Sequence, residues 1–462
     1  MKKIIFSVLG FVFIFLFLLG IITENKRDIG VSARDGVVYS LVDIPSDFQK
    51  MSQLSIREKD IICAISRGLV SMDSDENIHC ELAESYTVSD NGIEYTFNIR
   101  DDVYWSDGSV ITAQDIVEFF REVIRIEDEE DITALLDVYG ATNYRKGYTS
   151  FKDGVAIQNY GSVIKIRLNK KNDNFIYELA KPQYRLKKSL ILWNDLKKYY
   201  SDIKYSGDYV IKYMSDTSVQ LEGNQTITFV EDEDSELAIA AFELGKRDIV
   251  PYVGEASIDK LDKHNELLTM MSDSVLYMYM NRDLPLDKKK QIFKMVYNSL
   301  KSYTEKHSSE FCLSEGRYMY TPQESVETLQ NRKVMINSTD TDTDKNIDIY
   351  TDNISIQKYL EGNNNIDVKN MDTEKLLHNI ISDNYEVAVV EIKNNSISKH
   401  KFIEEALSIY PYIDNIDDYS TVEDILFDNY YIMPLIIYNC NIAISNKAII
   451  KDVDYYGNIY FN

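Results

Sequence analysis

The sequence predicts an α/β protein of more than one domain, exported behind an apolar N-terminal segment. Three observations carry that reading. The chain has 462 residues, more than one hydrophobic core usually serves, so two or three domains are expected. Its C-terminal half alternates period-two runs with short amphipathic runs, the pattern of βαβ units. Residues 4–22, IIFSVLGFVFIFLFLLGII, have Ser7 as their sole polar side chain and follow Lys2 and Lys3.

At about 1.5 Å of helical rise per residue, that apolar run nearly crosses a hydrocarbon core roughly 30 Å thick. The basic flank keeps the N-terminus inside the cell, so the rest is expected outside it. A bacterial lipoprotein signal ends in Leu-x-Gly-Cys, but here Leu18, Leu19 and Gly20 precede Ile21, which leaves no thiol to carry a lipid. Small residues suited to a cleavage site are missing from Ile21–Glu24, and Val31-Ser32-Ala33 lies well downstream. Residues 1–28 are therefore read as an uncleaved anchor, with a cleaved signal peptide as the alternative.

The next ordered-looking stretch is 82–120. Tyr86 and Val88, then Ile93, Tyr95, Phe97 and Ile99, alternate with polar residues and read as two strands with one buried face. Asn91-Gly92 between them suits a type I′ turn. Val103-Tyr104-Trp105 and the turn Ser106-Asp107-Gly108 follow. Thr112 and Asp115 form a capping-box variant for a helix carrying Ile116, Phe119, Phe120, Val123 and Ile124. Farther on, 346–353 alternates as a strand, 355–360 is helical in character, Ile366 and Val368 fit a strand, 373–381 is amphipathic, and Val387–Ile392 is an apolar run. The acidic or polar stretches 231–236 and 338–346 read as loops.

Composition excludes several functions. With 44% hydrophobic and 27% charged residues the chain is globular. Its net charge of −25 disfavours nucleic acid and anionic lipid surfaces, and equally fits a plain solvated exterior. No phosphate loop, nucleophile elbow or H-E-x-x-H is present, and no nucleophile–base set can be assembled, so no enzyme is expected. His79, His264, His307, His378 and His400 have no ligand spacing. Asp73, Asp75, Asn77 and Glu84 mimic a calcium loop, but Ile78 stands where the loop needs Gly, so the stretch is read as a structural turn with no metal. Cys63, Cys80, Cys312 and Cys440 form no CxxC pair and are expected to be free and buried. Trp105 and its aromatic neighbours are read as core.

The residues 82–120, LAESYTVSDNGIEYTFNIRDDVYWSDGSVITAQDIVEFF, resemble the signature of the family 5 solute-binding proteins, the oligopeptide- and dipeptide-binding components of ABC importers. The shared elements are Leu82–Ser85, the Asp90/Gly92 turn, Tyr95-x-Phe97-x-x-Arg100, Trp105–Gly108 and Thr112-Ala113-x-Asp115. Weaker likeness continues through Arg67–Val70, 154–168, 206–224, 238–250, 276–296 and Met433-Pro434-Leu435. The resemblance implies a two-lobed, type II periplasmic-binding-protein-like fold with an additional small domain. It places a base lobe at 29–66, 200–275 and 430–462, the small domain at 67–199 and the second lobe at 276–429. It also implies capture of a peptide or peptide-like solute in an interlobe cleft for an ABC permease, by a monomer without cofactor or metal. A membrane-tethered sensor or accessory protein of the same fold is the alternative.

Implied ligand contacts are Tyr139, Tyr277, Tyr279, Glu391, Asn394 and Asn395. For Tyr277 and Tyr279, on the strand crossing between lobes, core and ligand contact are equally weighted. One departure stands out. Peptide-binding members carry Trp-x-x-Asp at the end of a second-lobe strand, where the Asp neutralises the peptide α-amine. Here Ile392 and Asn395 occupy those places. An amide cannot neutralise a buried ammonium, so solutes lacking a free amine are expected. Glu391 is the nearest carboxylate, and an extended strand points it away from Ile392.

Overall fold

A computed structural model describes residues 36–75, 77–305, 311–316, 326–337, 347–360, 365–393 and 419–461. The expected membrane segment lies outside them. Among the described residues no helix is long and apolar enough to cross a membrane.

The punctuated stretch folds nearly as its sequence predicts. Ala83–Val88 and Glu94–Ile99 pair antiparallel, and Val163–Arg167 and Ile157–Tyr160 complete a four-stranded sheet. Tyr95, Phe97 and Ile99 are buried while their neighbours alternate outward. The turn differs from the type I′ expectation. Gly92 has φ of 71° but Asn91 is not left-handed, and the Gly92 amide donates to Ser89 O at 2.8 Å. Asn91 instead turns its side chain inward, where Oδ1 accepts from Ser89 Oγ at 2.7 Å and from Ile93 N at 3.3 Å. The loop between the paired Ser89 and Glu94 spans 90–93 and, with Gly92 at the left-handed position, needs one positive φ instead of two.

Thr112 and Asp115 close the capping box of helix Ala113–Ile126: Asp115 N donates to Thr112 Oγ1 at 3.2 Å, and Thr112 N to Asp115 Oδ2 at 2.9 Å. Asp73 is a turn residue, its Oδ1 accepting the amides of Asp75 and Asn77 at 2.9 Å each. Trp105 is core. All four cysteines are free, and Cys63 is buried; the other three are only half-buried, because each lies on a strand with one partly open face.

Among the described residues the large sheet has eleven strands, numbered in chain order: β1 Val37–Leu41, β2 Val210–Met214, β3 Ser218–Glu222, β4 Thr226–Glu231, β5 Ile249–Val250, β6 Leu267–Met280, β7 Phe311–Leu313, β8 Ile347–Thr351, β9 Ile366–Asn370, β10 Val387–Lys393 and β11 Ile432–Ile444. Their spatial order is 9-8-10-6-11-5-1-4-3-2, with β7 pairing β11. Two parallel groups sit on opposite sides of the long antiparallel pair β6–β11. One group is β5, β1 and β4, and the other is β9, β8 and β10. Each group is built from strand–helix–strand units. Helix Ser235–Glu243 joins β4 to β5, helix Ser355–Tyr359 joins β8 to β9, and helix Thr373–Ile381 joins β9 to β10.

Among the described residues, two large hydrophobic cores divide along the long pair, and a smaller third cluster around Phe242, Val250 and Leu261 meets it at Leu267 and Ala443. Val275–Met280 of β6 and Ile432–Ile437 of β11 belong to a core shared with helix Leu286–Thr304 and strands β8 and β10. The other ends of the pair, including Leu268, Met270, Cys440 and Ile442, pack on the core of β1–β4 and the small sheet. Between the two, the pairing slips, from Met271↔Asn439 to Val275↔Ile437. A bulge breaks the ladder and bends it, and here it falls where one core ends and the next begins. Residues 271–275 and 437–439 thus form the two-strand junction between the two cores, termed the hinge for its place in the fold.

Candidate functional site

The directions of the parallel strands decide where a site can form. β5 pairs antiparallel to β11 with Ile249↔Ile444 and Val250↔Ala443, so its C-terminal end points toward the hinge, and β1 runs parallel to it. On the other side β10 pairs with β6 from Val387↔Met280 to Lys393↔Ser274, so its C-terminal end also reaches the hinge, and β8 follows it in parallel. In open α/β sheets ligands bind beyond the carboxyl ends of the strands, where connections diverge. Both lobes present those ends to the same two crossing strands.

On the second-lobe side a polar cluster occupies the strand ends. Glu391, half-buried near the end of β10, accepts from Ser274 Oγ through Oε1 and from Asn353 Nδ2 through Oε2, the latter at 2.9 Å. The same Asn353 amide donates to Tyr438 Oη at 2.9 Å. Ser274 and Tyr438 come from the two hinge strands, and Asn353 from the turn after β8. Burial pushes the Tyr438 phenol well up, helped by Tyr359 and the Glu391 charge, so it stays a neutral hydroxyl. Both described partners of Glu391 are neutral, and among the described residues no cation pairs with it.

The remaining strand ends carry exposed apolar side chains. Val42, next after β1, is 57% exposed; Tyr252, two residues after β5, is 50% exposed; and Ile354, beside Asn353, is 78% exposed. Tyr252 has φ of 60°, costly for a residue with a bulky side chain, and the Val253 amide donating to Asn441 O of β11 at 2.9 Å fixes the loop. Apolar walls with a small, oriented polar group are what a small-molecule site requires.

Of the expected site residues, Glu391 is brought into this group. Ile392 turns the other way into the second core, 6% exposed, as alternation along a strand demands. Tyr277 and Tyr279 are core, a correction of their ligand-contact reading. β6 is flanked by β10 and β11 and packs within the second core, which leaves Tyr277 with no exposed surface and Tyr279 with 7%. Tyr139 lies in a turn beside the small sheet: its amide donates to Arg167 O at 2.9 Å, and the Arg167 guanidinium sits 4.4 Å over its ring. Asn394 and Asn395 lie outside the described residues. Ser274, Asn353, Tyr438, Val42, Tyr252 and Ile354 were not foreseen. The available signal was positional, since each of the last three follows a strand that feeds a crossover helix or loop.

Residues 77–296 match the model for bacterial extracellular solute-binding proteins, family 5 middle region. Over that stretch, just under half of its length, the chain is similar to the family 5 solute-binding proteins. A dipeptide-binding protein of Lactococcus lactis is 28% identical to this chain over 111 residues, which are 23% of this chain and 20% of that one. The matched stretch therefore spans about a fifth of that relative's length. The fold agrees over a far larger share. The unliganded open form of MppA, a periplasmic murein tripeptide-binding protein, superposes with a TM-score of 0.69 at 16% identity, covering 93% of this chain and 98% of that one. Listeria monocytogenes OppA bound to peptide superposes with a TM-score of 0.55 at 15% identity, covering 93% and 100%.

Proposed function

We propose that the chain captures a peptide or peptide-like solute at the hinge between its lobes and delivers it to an ABC permease. The observation that carries this reading is the convergence of both lobes' strand ends on β6 and β11, with an oriented carboxylate on one side and exposed apolar side chains on both. The family 5 match over 77–296 supports it, as do the dipeptide named for the Lactococcus relative and the peptide held by the Listeria neighbour. The lobes close on the solute through the bulged segments 271–275 and 437–439, and residues 1–28 hold the chain at the extracytoplasmic face of the membrane. The role is binding and delivery, with no chemistry performed on the solute.

Native mass spectrometry of the full chain, released from detergent, tests this. A bound species of peptide-like mass, lost on denaturation, is the expected result. A chain that carries none and takes none up from a mixture of di- to octapeptides contradicts the reading.

A further inference from the structure

The C-terminal hairpin, strands Ile450–Val453 and Ile459–Phe461, is fastened to the first lobe through buried charged groups. We propose that this cluster is a proton-operated latch: Asp60 and Asp454 hold one proton between them while the hairpin is docked, and its loss as the pH rises lets the hairpin open.

Asp60 is fully buried on helix Ile56–Ile65, where Oδ1 accepts the Ile459 amide at 2.8 Å and Oδ2 accepts Tyr39 Oη of β1 at 2.6 Å. Asp454, 6% exposed in the hairpin turn, accepts the Asn458 amide at 2.7 Å and the Asn458 side-chain amide at 3.0 and 3.1 Å. All of these donors are neutral. The cation at the cluster is Arg57. Its Nη2 donates to Gly457 O in the same turn, while its Nη1 lies 3.5 Å from Asp60 Oδ2 and makes no hydrogen bond. The neighbouring guanidinium, Arg185, is engaged by Glu81, and Asp454 has no ion pair among the described residues. Two buried carboxylates therefore share one incompletely engaged guanidinium, and the Asp454 charge opposes that of Asp60. One proton on the pair restores the balance.

Burial accordingly pushes Asp60 up to about 7 and Asp454 up to about 6, from an ordinary value near 3.9. The pair is also faced by the phenols of Tyr39, Tyr456 and Tyr460 and the thiol of Cys63; burial raises all four, so they stay neutral. Asp73, bridged to Asp454 through the backbone, turns its carboxylate to His79. Arg57 is faced in addition by Tyr252, after β5, and by Cys440 of β11, so the latch backs the first-lobe side of the hinge. Opening returns both carboxylates to water. The docked form thus keeps a proton that the open form has lost between about pH 4 and about pH 7. The latch is tightest in acid, each pH unit of rise across that window favours opening by up to about tenfold, and the effect levels off above it.

Hydrogen exchange of the full chain in detergent, read by mass spectrometry on residues 450–461 and corrected for the intrinsic pH dependence of exchange, tests this. Protection should fall at least about tenfold from about pH 5 to about pH 7.5. Asp454→Asn leaves one carboxylate to one guanidinium; it should cut the fall to within about threefold and keep the hairpin protected at the higher pH. Strand Glu94–Ile99 of the small sheet should show neither change. Equal protection at the two pH values in the unsubstituted chain overturns the proposal, a result that needs no variant to fold. A fall that persists in Asp454→Asn also overturns it. So does a fall shared by Glu94–Ile99, which would place the proton linkage in the whole fold instead of the hairpin.

Discussion

Arg185→Ala should lower the unfolding free energy by about 3–5 kcal/mol, read as a fall in the urea midpoint. Arg185 is 2% exposed and joins four stretches of chain. Its Nε donates to Ser66 O at 2.8 Å, Nη1 to Tyr460 Oη at 2.8 Å, and Nη2 to Cys63 O at 3.4 Å. Glu81 Oε2 lies 3.2 Å from Nη1. Cys63 and Ser66 stand at the C-terminal end of helix Ile56–Ile65, whose last carbonyls have no partner within the helix. Alanine leaves those carbonyls bare, takes the cation from a carboxylate that also receives the Gly68 amide at 2.7 Å, and releases Tyr460 of the C-terminal strand. Lysine would not restore the loss, because a single ammonium cannot fork to four acceptors. A loss below about 1 kcal/mol would show that water replaces the guanidinium at every acceptor.

Gly140→Ala should cost about 3 kcal/mol or more, measured by thermal melting, and leave little folded protein. Gly140 has φ of 82°, a left-handed conformation that disfavours a side chain, and an added Cβ would stand 1.8 Å from Gly154 O. The obstacle is backbone, and the segment cannot slide away. Tyr139 N donates to Arg167 O and Ala156 N to Tyr139 O, both at 2.9 Å, pinning the residue before it on two sides. Gly147→Ala is the control: its φ is 75° but nothing lies within 4 Å of an added Cβ. That variant should lose only about 1 kcal/mol, so the difference isolates the clash. Equal losses at the two positions would mean that the 140–154 contact yields.

Local grammar was legible in the sequence. The capping box at Thr112–Asp115, the alternation of Tyr95, Phe97 and Ile99, and the βαβ pattern after residue 346 all describe contacts within a few residues of one another. The site was less so. Ser274, Asn353, Glu391 and Tyr438 are joined only by the sheet, and no window of sequence holds two of them together. Glu391 could be found because a carboxylate interrupts an apolar strand. Asn353 could not, since the residue following a strand is usually polar whether or not it has a role. Tyr277 and Tyr279 misled because a strand buried on both faces shows no periodicity to separate core from cleft. The Asn91 turn misled for a related reason: Asn-Gly suits several turns, and the side-chain bonds of Asn91 to Ser89 and Ile93 decided among them.

Solute capture by closure about β6 and β11 is the central claim, and small-angle X-ray scattering tests it most directly. With a solute identified by native mass spectrometry or calorimetry added to saturation, the radius of gyration should fall as the lobes close over the Glu391 cluster. A scattering curve unchanged at saturation would contradict the account, because binding would then proceed without the hinge on which the site is built.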